Sequence, residues 1–403
     1  MNKKILYISY NGLLEPILPS QGLPYLKIFA EHGLRSILLT FEKKKDLNGC
    51  GKDNLKKMEN DLRRHGIEWI RLTYHKNPKK IATLLDISIG LVVSYFILLK
   101  NKIKIIHVRG VTPGLISLLL SKIFRLKIVF DMRGLLAEEY VGGGLWKEKG
   151  LFFNFVKLIE NMLLKRADAI VVLTEKHYRK NSELSYLKAK NTAMSVIPCC
   201  VDLDRFRYDE NNNKKLLKKY NINSRMLLVY PGKLGTFYFL KEMIDFFKSV
   251  SSKMEGLEFL ILTQDDLSKI EIDFNTKGLH VLRPSFEEIP VFLSSADAGI
   301  FFINPYKKYG SSPIKFGEFL ASGRPVIINS GIGDTEEIVT DNRVGVVVNN
   351  FNNDEYLNKM AELLELLKEG EALNKRCRAT AEKFLSLKMG AERYLNIYKE
   401  LAI

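Results

Sequence analysis

Short, continuous apolar runs rich in Val, Ile and Leu alternate with longer stretches of helical periodicity along almost the whole chain. In the first half the runs occupy 5–9, 37–41, 67–72, 103–108, 127–131, 169–174 and 195–198. A strand that is apolar on both faces must be covered on both, so this alternation predicts a parallel sheet with helices on either side. The pattern breaks at Asp202-Leu203-Asp204, Arg205-Phe206 and the polar run Asp209-Glu210-Asn211-Asn212-Asn213. It restarts with runs at 226–230, 258–262, 281–283, 299–303, 326–329 and 344–348. The fold class is therefore α/β, two doubly wound domains: 1–202, then 203–385. The charged tail 386–403, with Tyr394, Ile397 and Leu401 at helical spacing, reads as a helix that bridges back to the first domain.

A chain of 403 residues is long enough for two such cores. Met1-Asn2-Lys3-Lys4 runs straight into an apolar strand, which reads as a cytoplasmic chain without a signal peptide. Four cysteines, two of them adjacent at Cys199 and Cys200, form neither a disulfide framework nor a zinc pattern and read as reduced. Charge changes the picture more. Residues 1–200 hold 34 Lys+Arg against 17 Asp+Glu, whereas residues 201–403 hold 28 against 29. The whole excess of +16 therefore belongs to the first domain, which must face an anionic partner.

No nucleic-acid reading module accompanies that charge, so nucleic acid is excluded as the expected partner. An anionic membrane surface fits better. The stretch 145–157 mixes Leu, Trp and Phe with lysines as interfacial helices do. The apolar stretch 84–99 is too short to span a bilayer and carries Asp86, and reads as a helix buried against the sheet.

In doubly wound sheets ligands gather beyond the C-terminal ends of the strands. After the first strand comes a long Gly/Pro loop, 11–22, ending in Gly22. The fourth strand is followed by Arg109. The fifth leads into Asp131-Met132-Arg133-Gly134, then Glu138 and Glu139. Asp131, Arg133 and Glu139 are the candidate catalytic groups. In the second half the informative stretch is Gly310-Ser311-Ser312-Pro313-Ile314-Lys315-Phe316-Gly317-Glu318, running on to Gly323-Arg324-Pro325. Ser312 reads as an N-cap with Pro313 at the first helical position and Gly323 as the stop. A helix start presents unpaired amides and partial positive charge, which with Lys315 suits a diphosphate. Glu318, one turn on, suits the hydroxyls of whatever the phosphate carries. Asp202-Leu203-Asp204 resembles a metal pair but lies in the linker without partners, and no metal or other cofactor is expected. Gly331-Ile332-Gly333 reads as a tight turn carrying amides near the ligand.

Together these features resemble the GT-B glycosyltransferases, specifically the family 4-like group. The resemblance is carried by the opening loop, by Val196-Ile197-Pro198-Cys199-Cys200-Val201-Asp202 with Phe206, by Gly232-Lys233-Leu234, and by 313–327 followed by Gly333, Glu337-Ile338-Val339 and Gly345. It implies two domains facing a central cleft and transfer of a sugar from a nucleoside diphosphate sugar to an acceptor hydroxyl. Retention of configuration and independence of metal are further expectations. Gly22, Lys233, Ser311, Ser312, Lys315 and Glu318 would hold the donor, with Lys233 neutralising the phosphates and Glu318 on the ribose. Where the family commonly has an acid eight positions before that glutamate, this chain has Gly310. With the basic first domain, the expected acceptor is a lipid-linked glycan or lipopolysaccharide precursor, at the inner face of a membrane, for surface polysaccharide. The alternatives are a non-catalytic scaffold of a glycosylation complex and a nucleotide-sugar epimerase.

Overall fold

The computed structural model describes residues 3–190, 192–208, 210–220, 222, 224–235, 237–270, 274 and 276–401. Asp209 of the polar run and Thr236 of the loop after the eighth strand lie outside the described residues. The chain divides into two compact units, Met1–Glu138 with Trp146–Pro198 and Leu387–Ile403, and Glu139–Leu145 with Cys199–Ser386.

In the first unit, strands β1 (Lys3–Ser9), β2 (Leu34–Lys43), β3 (Ile67–Tyr74), β4 (Ile105–Arg109), β5 (Lys127–Asp131), β6 (Ala169–Val172) and β7 (Ala193–Val196) form one sheet in the order β3-β2-β1-β4-β5-β6-β7. Every pairing is parallel. The register sets Ser9 opposite Arg109 and Arg109 opposite Asp131, so these polar groups leave the sheet side by side at its C-terminal edge. The helix Leu387–Leu401 returns to this unit, its Tyr394 and Tyr398 meeting Phe29 edge-on at 5.8 and 5.2 Å.

In the second unit, β8 (Met226–Pro231), β9 (Leu257–Leu262), β10 (Leu279–Leu282), β11 (Ala298–Phe301), β12 (Val326–Asn329) and β13 (Gly345–Val348) form a parallel sheet in the order β10-β9-β8-β11-β12-β13. Phenylalanines from both sides, among them Phe246, Phe292, Phe316 and Phe319, fill its core. The two sheets are the two doubly wound domains that the apolar runs predict.

The polar stretch that breaks the pattern includes a helix, Glu210–Lys219, that buries Leu216. One expectation needs correction. The apolar helix is longer than its core stretch, Lys79–Asn101, and is long and apolar enough by length and composition to cross a membrane. Nor is it buried against the sheet on all sides, since Ile81, Leu84, Val92 and Phe96 are 66%, 59%, 54% and 62% exposed. Its buried face holds Ala82, Asp86 and Ser94 together with Ile97 and Leu98.

Gly345 opens β13 with φ of +156°, and a Cβ there would stand 2.0 Å from the carbonyl oxygen of Val326 on the neighbouring strand. Backbone cannot swing aside as a side chain can. Gly345→Ala is therefore expected to cost roughly 1–3 kcal/mol, as overpacking of a core does, read as a lower denaturant midpoint for the second unit.

Candidate donor site

The loop leaving β8 and the helix Ile314–Ala321 meet in the second unit. Gly232 has φ of +140°, and a Cβ on it would lie 3.0 Å from the Nζ of Lys315. Only glycine lets the loop pass so close. The loop is held on both sides. The Tyr230 hydroxyl donates to the Lys233 carbonyl, and Asp265 Oδ2 accepts from the Leu234 amide at 2.7 Å. The Lys233 side chain is left exposed at the tip.

Lys315 itself is buried, and its Nζ has no hydrogen-bond partner among the described residues. It lies 3.7 Å from the ring centre of Tyr238, 4.2 Å from that of Tyr230 and 5.9 Å from that of Phe301. The rings offer cation–π attraction but do not replace water's hydrogen bonds. Burial pushes the Lys315 pKa well below its ordinary value, against the pull of Glu318. Glu318 is half-buried one turn on. Burial raises its pKa to about 7, although Arg205 and Lys315 both work to lower it.

Arg205 is the site residue that sequence reasoning passed over as linker. Its guanidinium lies over the Phe286 ring at 3.6 Å and donates to the Phe286 carbonyl at 2.8 Å. Burial lowers its pKa while Glu318 and Asp202 raise it. Only the break in pattern flanking Asp202 marked this stretch, and nothing in the sequence tied it to Glu318, 113 positions away. Asp202 accepts the amides of Asp204 and Arg205 at 3.0 and 3.2 Å, as a turn-forming aspartate does.

The helix start differs from its expected form. Pro313, not Ser312, is the N-cap residue, and no side chain caps the helix. The Ser312 hydroxyl instead accepts the Cys199 amide at 3.1 Å, and the Ser311 amide donates to the Lys308 carbonyl at 3.0 Å. The Ser311 amide is thus committed within the fold, the Ser312 hydroxyl keeps its own proton to donate, and the amides that helix geometry leaves unpaired include those of Ile314 and Lys315. Gly323, at φ of +73°, does stop the helix. The Gly333 amide is also committed, donating to the Lys308 carbonyl at 2.9 Å, so this turn braces the 308–310 turn.

Glu139 belongs to the second unit and pairs with buried Lys308 at 3.3 Å. Asp131 and Arg133 belong to the first, where they form a cluster with His107, Arg109 and Tyr394. Asp131 is fully enclosed and accepts from the Tyr394 hydroxyl at 2.9 Å. His107, Arg109 and Arg133 stand 3.6, 3.8 and 3.7 Å from its carboxylate. Burial would raise its pKa, but Arg133, His107 and Arg109 outweigh that and hold it at about 2. A carboxylate so enclosed anchors arginines and does not meet substrate, which corrects its place among the catalytic candidates. The arginines in turn hold the Gly22 loop, Arg109 donating to the Gln21 carbonyl at 2.8 Å and Arg133 to the Gln21 side chain at 3.4 Å. A Cβ on Gly22 would collide with Leu18 at 2.3 Å.

Two outcomes follow from the buried ammonium. Lys315→Met keeps the volume and removes an unsolvated charge, so thermal stability should hold or rise while affinity for a nucleoside diphosphate falls at least about tenfold. A parallel fall in both would mark Lys315 as merely structural. For Glu318, whose folded pKa of about 7 exceeds the ordinary 4.5, the folded state holds a proton that the unfolded state has lost. Stability contributed there is present below pH 4.5, declines as pH rises to about 7 and is level above. Denaturation from pH 5 to 8 should show that decline in the native chain and a shallower one in Glu318→Gln.

Residues 226–366 match the family model described as glycosyl transferases group 1. No curated protein matches the chain in sequence. Among solved structures, the chain is similar to a sucrose-phosphate synthase of Thermosynechococcus elongatus, at 16% identity over 99% of each chain with a TM-score of 0.75. It is also similar to HepE of Anabaena in complex with UDP, at 13% identity over 98% of this chain and 100% of that one, with a TM-score of 0.70. A third is WaaG, a glycosyltransferase involved in lipopolysaccharide biosynthesis, at 15% identity over 98% and 99%, with a TM-score of 0.64. The fold is that of the GT-B glycosyltransferases, and the match to the group 1 model falls within the second unit.

Proposed function

We propose that this protein is a glycosyltransferase that moves a sugar from a nucleoside diphosphate sugar to an acceptor hydroxyl, with retained configuration and no metal. The observation that carries the reading is the unpartnered, buried Nζ of Lys315 beside Gly232 and the start of the Ile314–Ala321 helix. A diphosphate supplies the charge that this ammonium lacks. In the transfer step the bond from the anomeric carbon to the diphosphate oxygen breaks and its electron pair leaves with the diphosphate, while the acceptor oxygen bonds to the carbon and its proton passes to the departing diphosphate oxygen. Lys233, Lys315 and the Ile314 and Lys315 amides meet the developing negative charge, the office that a metal fills elsewhere. Glu318 accepts from ribose hydroxyls, with Arg205 beside it. Glu139, held by Lys308, and Arg133 orient sugar and acceptor. HepE, solved with UDP, favours a uridine nucleotide.

The acceptor of this reading is a lipid-linked glycan or lipopolysaccharide precursor, and the task is surface polysaccharide assembly at the inner face of a membrane. The basic first half supports it, as does the likeness to WaaG.

Lys233→Ala and Glu318→Gln are each expected to lower transfer by roughly 10²–10³-fold, about 3–4 kcal/mol, as loss of one preorganised donor does. Chelator is expected to leave transfer intact. Full activity in either variant would remove the proposed site. UDP binding without turnover across an acceptor panel would favour a non-catalytic binding protein.

A further inference from the structure

Three neighbouring helices on one face of the first sheet, Lys79–Asn101, Val111–Leu120 and Leu151–Arg166, turn apolar side chains outward, and the first and third bury their only acids. In the first, the outward stripe Ile81, Leu85, Val92, Phe96 and Leu99 is apolar, while its only carboxylate, Asp86, is fully buried. Asp86 accepts from the Tyr10 hydroxyl at 2.9 Å and pairs with His75 at 2.6 Å. In the third, Leu151, Phe155, Leu158 and Met162 fall at spacings of four, three and four and are all exposed, whereas its only acid, Glu160, is buried against Lys157. The middle helix has no acid at all and shows half-buried Leu115 and Leu119, with Ile123 just beyond it 65% exposed. A soluble surface helix turns its apolar stripe inward, so this face is the reverse of what water selects.

Cations complete the surface. Lys100, Lys102, Lys104, Lys122, Arg125 and Lys165 are exposed at or just past the C-terminal ends of the same three helices, which parallel βα connections bring to one edge of the sheet. No acid from any of the three helices reaches the surface to offset them.

We propose that this face inserts into the outermost acyl layer of a bilayer containing anionic lipid, the three helices lying along the membrane plane and the basic edge holding headgroups. The inference deepens the membrane part of the reading above by naming the surface. It stands apart from the donor chemistry. A second copy of the chain is the poorer occupant, because pairing two such faces would also bring two uncompensated basic edges together.

Flotation with phosphatidylglycerol-containing vesicles tests it, with UDP affinity measured in parallel so that loss of membrane contact is separable from loss of the donor site. The native chain is expected to float, several-fold less at high salt but not to zero, since only the charge part is screened. Phe96→Asp with Phe155→Asp is expected to lower vesicle affinity at least about tenfold with UDP affinity unchanged. Should that pair fail to fold, Leu84→Ser with Leu151→Ser, both at exposed positions, makes the same test. Flotation unaltered in the variants would overturn the proposal. So would complete loss of native flotation at high salt, which means charge alone, or a dimer split by the variants with no vesicle binding.

Discussion

A lysine ammonium removed from water without a hydrogen-bond partner is the constraint on which the second unit's chemistry depends. Burying an ion costs several kcal/mol unless something of opposite charge meets it. Around Lys315 the fold supplies three aromatic rings, a glycine that concedes the space a Cβ would fill, and a glutamate whose own proton affinity is raised by the same enclosure. Lysine and glutamate are both pressed toward their neutral forms. An arriving anion would reverse this for the lysine, and in the proposed function that reversal is what selects a charged diphosphate over a neutral sugar.

The first unit solves the opposite problem. There a buried carboxylate, Asp131, has two arginines, a histidine and a tyrosine hydroxyl around it, so its charge is balanced within the unit. The surplus positive charge of the arginines is directed to Gln21, immediately before Gly22. One unit thus holds a cation in want of an anion, and the other consumes an anion to aim its cations.

The thirteen strands among the described residues were legible in the sequence, most of them because strands buried on both faces leave continuous apolar runs that no helix needs. The stop at Gly323 was legible for a similar reason, since one residue type alone fits that backbone. What stayed hidden was every feature set by a partner distant in sequence. Ser312 looks like a cap until Cys199 arrives from 113 positions away. Asp131 looks available until Tyr394, 263 positions on, closes over it. Arg205 looks like linker until Glu318 is placed beside it. The helix Lys79–Asn101 misleads in another way. Apolar composition announces that it shuns water, not which of its sides meets protein.

The return of the last helix to the first unit bears on how this chain can be divided. Tyr394 and Tyr398 supply the hydroxyls that reach Asp131 and His107, at 2.9 and 2.6 Å. A fragment ending at Pro198 would retain both sheet residues and lose both hydroxyls, leaving a sealed charge with one answer fewer and Phe29 without its two edge-on rings. The N-terminal half is therefore not a separable module. Evolution can exchange it with another donor-binding half only by keeping the tail along with it.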